Sequence, residues 1–189
     1  APETPLSSLR IAELAADVLP DGVLNVVSGG IEPGIQLTSH EDVDMLAFTG
    51  SDDNGEKVLE AAAKNITPTM MELGGKNPAI VFDDAELERT VSGVIASTFY
   101  NSGQACSDAE RILVHENIYD EFTAALADEV RSLVVGDGFD ETSQIGPLAT
   151  EQQAEKFNQY LDIAQSDGAS VLAQAETPDA TDLEVVHWV

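Results

Sequence analysis

The one cysteine of the chain, Cys106, stands in Asn101-Ser-Gly-Gln-Ala-Cys-Ser107, a small, polar, glycine-containing stretch. A thiol acts as a nucleophile when it is partly ionised and a substrate can reach it. A helix N-terminus, or the backbone amides around Gly103 and Ala105, would favour the thiolate and could also donate to an oxyanion. Upstream by 34 positions lies Met71-Glu-Leu-Gly-Gly-Lys-Asn-Pro78, where Glu72 is followed, one residue on, by two glycines. A carboxylate beside so free a backbone can swing to activate water. The residues alone leave two readings open. Either Cys106 is a nucleophile with Glu72 as its partner base, or the thiol is inert packing and Glu72 a surface charge on a turn. His40, His115 and His187 lie in unrelated contexts, suited to surface or boundary positions, and offer no rival base.

A third stretch, Gly50-Ser-Asp-Asp-Asn-Gly55, falls between an expected strand and an expected helix. Backbone N–H groups and the helix dipole can hold a phosphate at such a place. The stretch lacks the GxGxxG dinucleotide fingerprint. Asp52 and Asp53 suit a helix N-terminus, but their charges oppose a pyrophosphate beside them. An ordinary strand-to-helix turn is the simpler reading of these residues.

The elements that must position these stretches alternate. Thr4-Pro5 is expected to open a helix, Thr4 as N-cap, with Ile11, Leu14, Ala15 and Val18 at helical spacing. Pro20-Asp-Gly22 ends it, and Val23–Val27 reads as a short buried strand. A helical piece ends at Ser39, Val43–Phe48 is a second strand, and a helix follows from about Asp53 to Lys64, with Val58, Leu59 and Ala62 on one side. Pro78–Phe82 is a strand, and Asp83 with Glu86 resembles a capping box before a helix carrying Leu87, Val91, Val94, Ile95 and Phe99. Arg111–Val114 is a strand, Ile118 to Leu133 a helix, Gly136–Ser143 a connector, and Thr150 with Gln153 caps a last helix. Strands alternating with helices predict an α/β fold of parallel-sheet, Rossmann-like units. After Leu172 the pattern thins, and the apolar end Val185–Val189 has no evident partner, so a cut chain is expected.

With 189 residues and 43% hydrophobic content the chain can bury a core. Its 35 acidic residues against 8 basic give a net charge of −27. A polyanion is repelled by nucleic acid and by anionic membranes, so neither is an expected partner. The acidic residues are spread along the chain, in segments such as Ser51–Asn54 and Asp179–Glu184. Such a surface suits a salt-rich, halophilic cytoplasm, where counterions screen self-repulsion. The start, Ala1-Pro-Glu-Thr-Pro5, lacks the basic residues and apolar run of a signal peptide, and no apolar run reaches the length of a membrane span. A single cysteine excludes an internal disulfide and a CxxC metal site. The expected compartment is cytoplasmic.

Phe48-Thr-Gly-Ser51, Glu72-Leu-Gly-Gly-Lys76 and Gly103-Gln-Ala-Cys106, in this order and spacing, resemble the aldehyde dehydrogenase superfamily. Thr4-Pro-Leu-Ser7, Gly22–Val27, Val114–Asp120 and Ile145-Gly-Pro-Leu148 agree, so the resemblance runs from residue 1 to about 170. It implies NAD(P)-dependent oxidation of a small aldehyde substrate. Cys106 would form a thiohemiacetal and then a thioester, and Glu72 would activate the hydrolytic water. The Cys106 N–H would supply half of the oxyanion hole. By the same resemblance, Gly50 through Gly55 matches the pyrophosphate-side loop, with Ser51 contacting phosphate, and the Leu73 carbonyl faces the nicotinamide amide of NAD or NADP. Glu72 favours the hydrolytic branch over the CoA-acylating one.

Departures accompany the resemblance. Asp52 stands where the family usually has Thr. Pro2 stands where a Glu often reads the adenosine ribose, which leaves NAD against NADP open, and the lysine of that motif would precede Ala1. The family's usual length is more than twice that of this chain. The oxyanion-hole Asn, the ribose-holding Glu motif and the strand through which the family forms homo-oligomers would all lie outside it. The expected division is residues 1–73 from the end of the cofactor-binding domain and 74–172 from the start of the catalytic domain. Residues 173–189 form a divergent tail, as a truncation or frameshift would leave. Such a piece is expected to turn over weakly or not at all. The alternative is a non-catalytic remnant, or half of a split protein, acting as an interaction piece.

Overall fold

A computed structural model describes residues 2–178 of the chain. The readings placed on Val185–Val189, on Asp179–Glu184 and on His187 lie outside the described residues. The chain divides between Gly74 and Gly75 into two compact units.

In the first unit, β1 (Leu46–Thr49) and β2 (Thr69–Glu72) pair in parallel, from Leu46 opposite Thr69 to Thr49 opposite Glu72. Between them α3 (Asp52–Asn65) makes the crossover that a parallel pair requires. Its Val58 and Ala62 bury against Leu46, with Val43, Phe48 and Met71 packed around them. Leu59, expected on the same side, is exposed instead. The helix ends on Ile66 in the left-handed region, φ 58°, a costly conformation for a β-branched residue. Ahead of this βαβ unit run α1 (Leu6–Ala16) and α2 (Ile31–Ser39), and α2 lies against α3.

Two expectations fail here. Thr4 does not cap α1: Pro5 holds the N-cap place, and no side-chain bond closes that end. Val23–Val27 is not a buried strand, since Val23 is 62% and Val27 72% exposed. An extended segment becomes a strand only with a ladder partner, and β1 pairs with β2 rather than with this segment.

In the second unit, β3 (Pro78–Val81) and β4 (Arg111–Val114) form another parallel pair, Pro78 opposite Arg111 and Val81 opposite Val114. Helices α4 (Leu87–Thr98) and α5 (Tyr119–Ser132) pack together beside it. Val81, Val91 and Val94 close around Phe122, which is 0% exposed. Full burial of one such side chain is worth about 1.5–3 kcal/mol. The Asp83–Glu86 capping box is not formed: Glu86 is the N-cap of α4 without a side-chain bond. The Asp83 carboxylate instead accepts from the Asn117 amide at 2.9 Å.

Beyond α5, Val135 bridges Ile145 across the connector, within which the N–H and then the hydroxyl of Thr142 hold the Asp140 carboxyl below the usual aspartate range. Thr150 caps α6 (Glu151–Ser166) as expected, its hydroxyl accepting from the Gln153 N–H at 3.2 Å. Among the described residues no helix is long and apolar enough to cross a membrane.

Candidate active site

In the first unit, β1 delivers the chain to Gly50 and Ser51 at the mouth of α3. Ser51 is the N-cap, with extended backbone, and its hydroxyl accepts from the Asn54 N–H at 3.4 Å. The Ser51 carbonyl accepts the first helical bond, from Gly55 at 2.8 Å. The N–H groups of Asp52 and Asp53 have no acceptor among the described residues, as the first turn of a helix leaves them.

Strand β2 ends on Glu72 beside this turn, and the Gly50 N–H donates to the Glu72 carbonyl at 3.0 Å. Glu72 therefore closes a strand rather than riding on a turn. Its side chain is exposed and makes no hydrogen bond or ion pair among the described residues. Leu73 folds over the first turn of α3. A Cβ on Gly55 would stand 2.6 Å from one Leu73 methyl and 3.1 Å from the other. Asp52 reaches across and accepts from the Gly74 N–H at 3.1 Å. Gly50, Ser51, Gly55, Glu72 and Leu73 thus come together at one end of one βαβ unit. The Asp52 tether is invisible in the sequence, because a side chain reaching 22 residues along the chain leaves no local pattern.

Cys106 belongs to the second unit. Helix α4 gives way to a 3-10 turn, Tyr100–Gly103, in which Asn101, Ser102 and Gly103 all take positive φ, at 49°, 62° and 71°. Glycine takes that region freely, while asparagine and serine are held there by surrounding bonds. The Ser102 hydroxyl donates to the Gly146 carbonyl at 2.9 Å. The Gln104 amide donates to the Asn101 carbonyl at 3.0 Å and accepts from the Ala149 N–H at 3.0 Å. Cys106 follows on a turn, exposed, and its N–H has no acceptor among the described residues. An accessible thiol with a free amide beside it can attack a carbonyl carbon and receive the resulting oxyanion.

A cleft of this unit, about 620 Å³, is lined by Phe99, Leu133, Phe157 and Leu161 among others, and Cys106 is not among its lining residues. His115 is a structural cap, its Nδ1 accepting from the Asn117 N–H at 3.2 Å, and His40 Nδ1 accepts from the Asp42 N–H at 3.2 Å. No cluster of metal-ligating side chains occurs among the described residues.

The sequence profile of the aldehyde dehydrogenase family matches residues 1–186, further along the chain than the quoted motifs reach. A betaine aldehyde dehydrogenase of Sinorhizobium fredii is 40% identical over 182 residues, 96% of this chain and 37% of that protein. The betaine aldehyde dehydrogenase of Staphylococcus aureus, solved in complex with NAD+, superposes with a TM-score of 0.90 at 36% identity, over 98% of this chain and 37% of that one. An NADP dependent enzyme of E. coli superposes with a TM-score of 0.87 at 42% identity, over 92% of this chain and 37% of the other. The chain spans a little over a third of the length of these relatives. Its parallel βαβ unit, its Glu72 strand end and its Cys106 turn fall within a match that covers nearly every residue, and the chain belongs to the aldehyde dehydrogenase family.

Proposed function

We propose that this chain carries the nucleophile and the general base of an NAD- or NADP-dependent aldehyde oxidation. The carrying observation is Cys106, exposed on a turn with its N–H free of any internal acceptor among the described residues. In this reading the Cys106 thiolate adds to the aldehyde carbon, and the Cys106 N–H receives the oxyanion of the thiohemiacetal. Loss of hydride leaves a thioester on Cys106. Glu72 takes a proton from water, which attacks the thioester to release the carboxylic acid and restore the thiol.

The dinucleotide, when bound, supplies the hydride acceptor. Ser51 and the free N–H groups of Asp52 and Asp53 suit its diphosphate, and the Leu73 carbonyl would face the nicotinamide amide. The Asp52 and Asp53 charges oppose a diphosphate, but part of the Asp52 charge is engaged by the Gly74 N–H. Residues 1–73 would then belong to the cofactor domain and residues 74–172 to the catalytic domain. Relatives named for NAD+ and for NADP leave both dinucleotides in the proposal. Those named for betaine aldehyde make it the first aldehyde to try.

The experiment is acylation of the chain by an activated ester, followed by mass analysis of residue 106, alongside NAD(P)H production from an aldehyde panel. Cys106→Ser is expected to lower acyl transfer at least about 10³-fold. Glu72→Gln should let the acyl adduct accumulate. Acylation that proceeds equally in Cys106→Ser would refute the assignment. NAD(P)H production by this chain alone should be weak or absent.

A second reading is favoured by the exposure of Ile11, Leu14, Val23 and Val27 in a chain spanning 37% of its relatives. Here the chain serves as an interaction piece that completes a family fold supplied by other polypeptide. Gain of turnover on mixing with a complementary piece separates the two.

A further inference from the structure

The loop bearing Cys106 has no strand or helix of its own, yet two side chains hold its backbone. The Asn77 amide nitrogen donates to the Cys106 carbonyl at 2.7 Å and to the Asp108 carbonyl at 3.1 Å. Both acceptors are carbonyl oxygens, so the amide can face them only with its NH2. Asn77 is itself anchored, its backbone carbonyl accepting from the N–H groups of Glu110 at 3.0 Å and Arg111 at 3.1 Å, where β4 begins. Asp108 is 3% exposed, and its carboxylate accepts from the Ala105 N–H at 3.0 Å. The Asp108 N–H donates back to the Ala105 carbonyl at 3.1 Å.

These bonds fix both peptide planes that flank Cys106. The Ala105 carbonyl is tied inward to Asp108, and in a trans peptide the following N–H lies in the same plane and points the opposite way. The Cys106 N–H is therefore aimed away from the Ala105–Asp108 turn. The Cys106 carbonyl, on the next plane, is held by Asn77. We propose that Asn77 and Asp108 are positioning residues that aim the Cys106 N–H as an oxyanion donor. This rests on the reading of Cys106 as the nucleophile.

Two reactions of the same thiol separate aim from exposure. Acylation by an activated ester passes through an oxyanion, and alkylation by iodoacetamide does not. Asn77→Ala and Asp108→Ala are expected to slow acylation about 10- to 100-fold while alkylation changes less than about threefold. Asp108→Asn keeps an oxygen for the Ala105 N–H and should acylate as the unaltered chain does. Asn77→Asp sets a carboxylate against two carbonyl oxygens, so its acylation, normalised to alkylation at the same pH, should recover only as the pH falls and the carboxyl becomes a donor. Acylation and alkylation falling together, or neither falling, would overturn the proposal. Exchange of the Ala105 amide should quicken about tenfold in Asp108→Ala and not in Asp108→Asn. Unchanged exchange removes the Asp108 clamp alone. Failure of the unaltered chain to acylate at Cys106 removes the nucleophile reading, and the proposal with it.

Discussion

A single missing methyl at Gly55 decides how Leu73 sits. The residue lies in the first turn of α3, where alanine would gain about 1 kcal/mol of helix propensity. Its Cβ would enter the space of both Leu73 methyls and stand 3.3 Å from the Met71 methyl. Relief requires Leu73 to move, at a cost of about 1–3 kcal/mol for overpacking. The two effects partly offset, so Gly55→Ala should lower the stability read from urea unfolding by no more than about 2 kcal/mol. Under the proposed role of the Leu73 carbonyl, the same substitution weakens dinucleotide binding, which fluorescence titration would read. A strong loss of stability with unchanged binding would make Gly55 a packing residue only. The type and spacing of Cys106, Glu72 and the Gly50–Gly55 loop were legible in the chain. The partners that hold them were not, since Asp52 to Gly74 and Asn77 to Cys106 join residues far apart in sequence.

Helix starts show where local patterns decide and where they do not. Thr150 and Thr4 both look like N-caps, but only Thr150 bonds its helix. Thr150→Ala should cost about 1 kcal/mol, while Thr4→Ala should cost nearly nothing, compared by thermal melting. Equal costs would contradict this assignment of the caps. Strands are harder to read. Val23–Val27 has a strand's composition and no ladder partner, whereas Thr69–Glu72, which no local pattern marks as a strand, pairs with β1 through its whole length. Pairing is a non-local property, and four residues carry little periodicity to announce it.

Across the whole chain, charge outweighs every other feature of composition. A net −27 over 189 residues repels itself, and screening shortens that repulsion from about 10 Å at 0.1 M salt to about 3 Å at 1 M. The melting temperature should therefore rise between dilute buffer and molar KCl by at least about 4 °C. A higher melting temperature in dilute buffer would sink the halophilic reading. Composition, the βα alternation and the three motifs followed from the order of residues, because periodicity and residue chemistry are local. Tertiary structure alone decided that Glu72 ends a strand bonded to Gly50, that Leu73 needs a glycine beneath it, and that Asn77 and Asp108 hold the Cys106 turn. Each of those depends on a backbone group meeting a partner brought near only when the chain closes on itself.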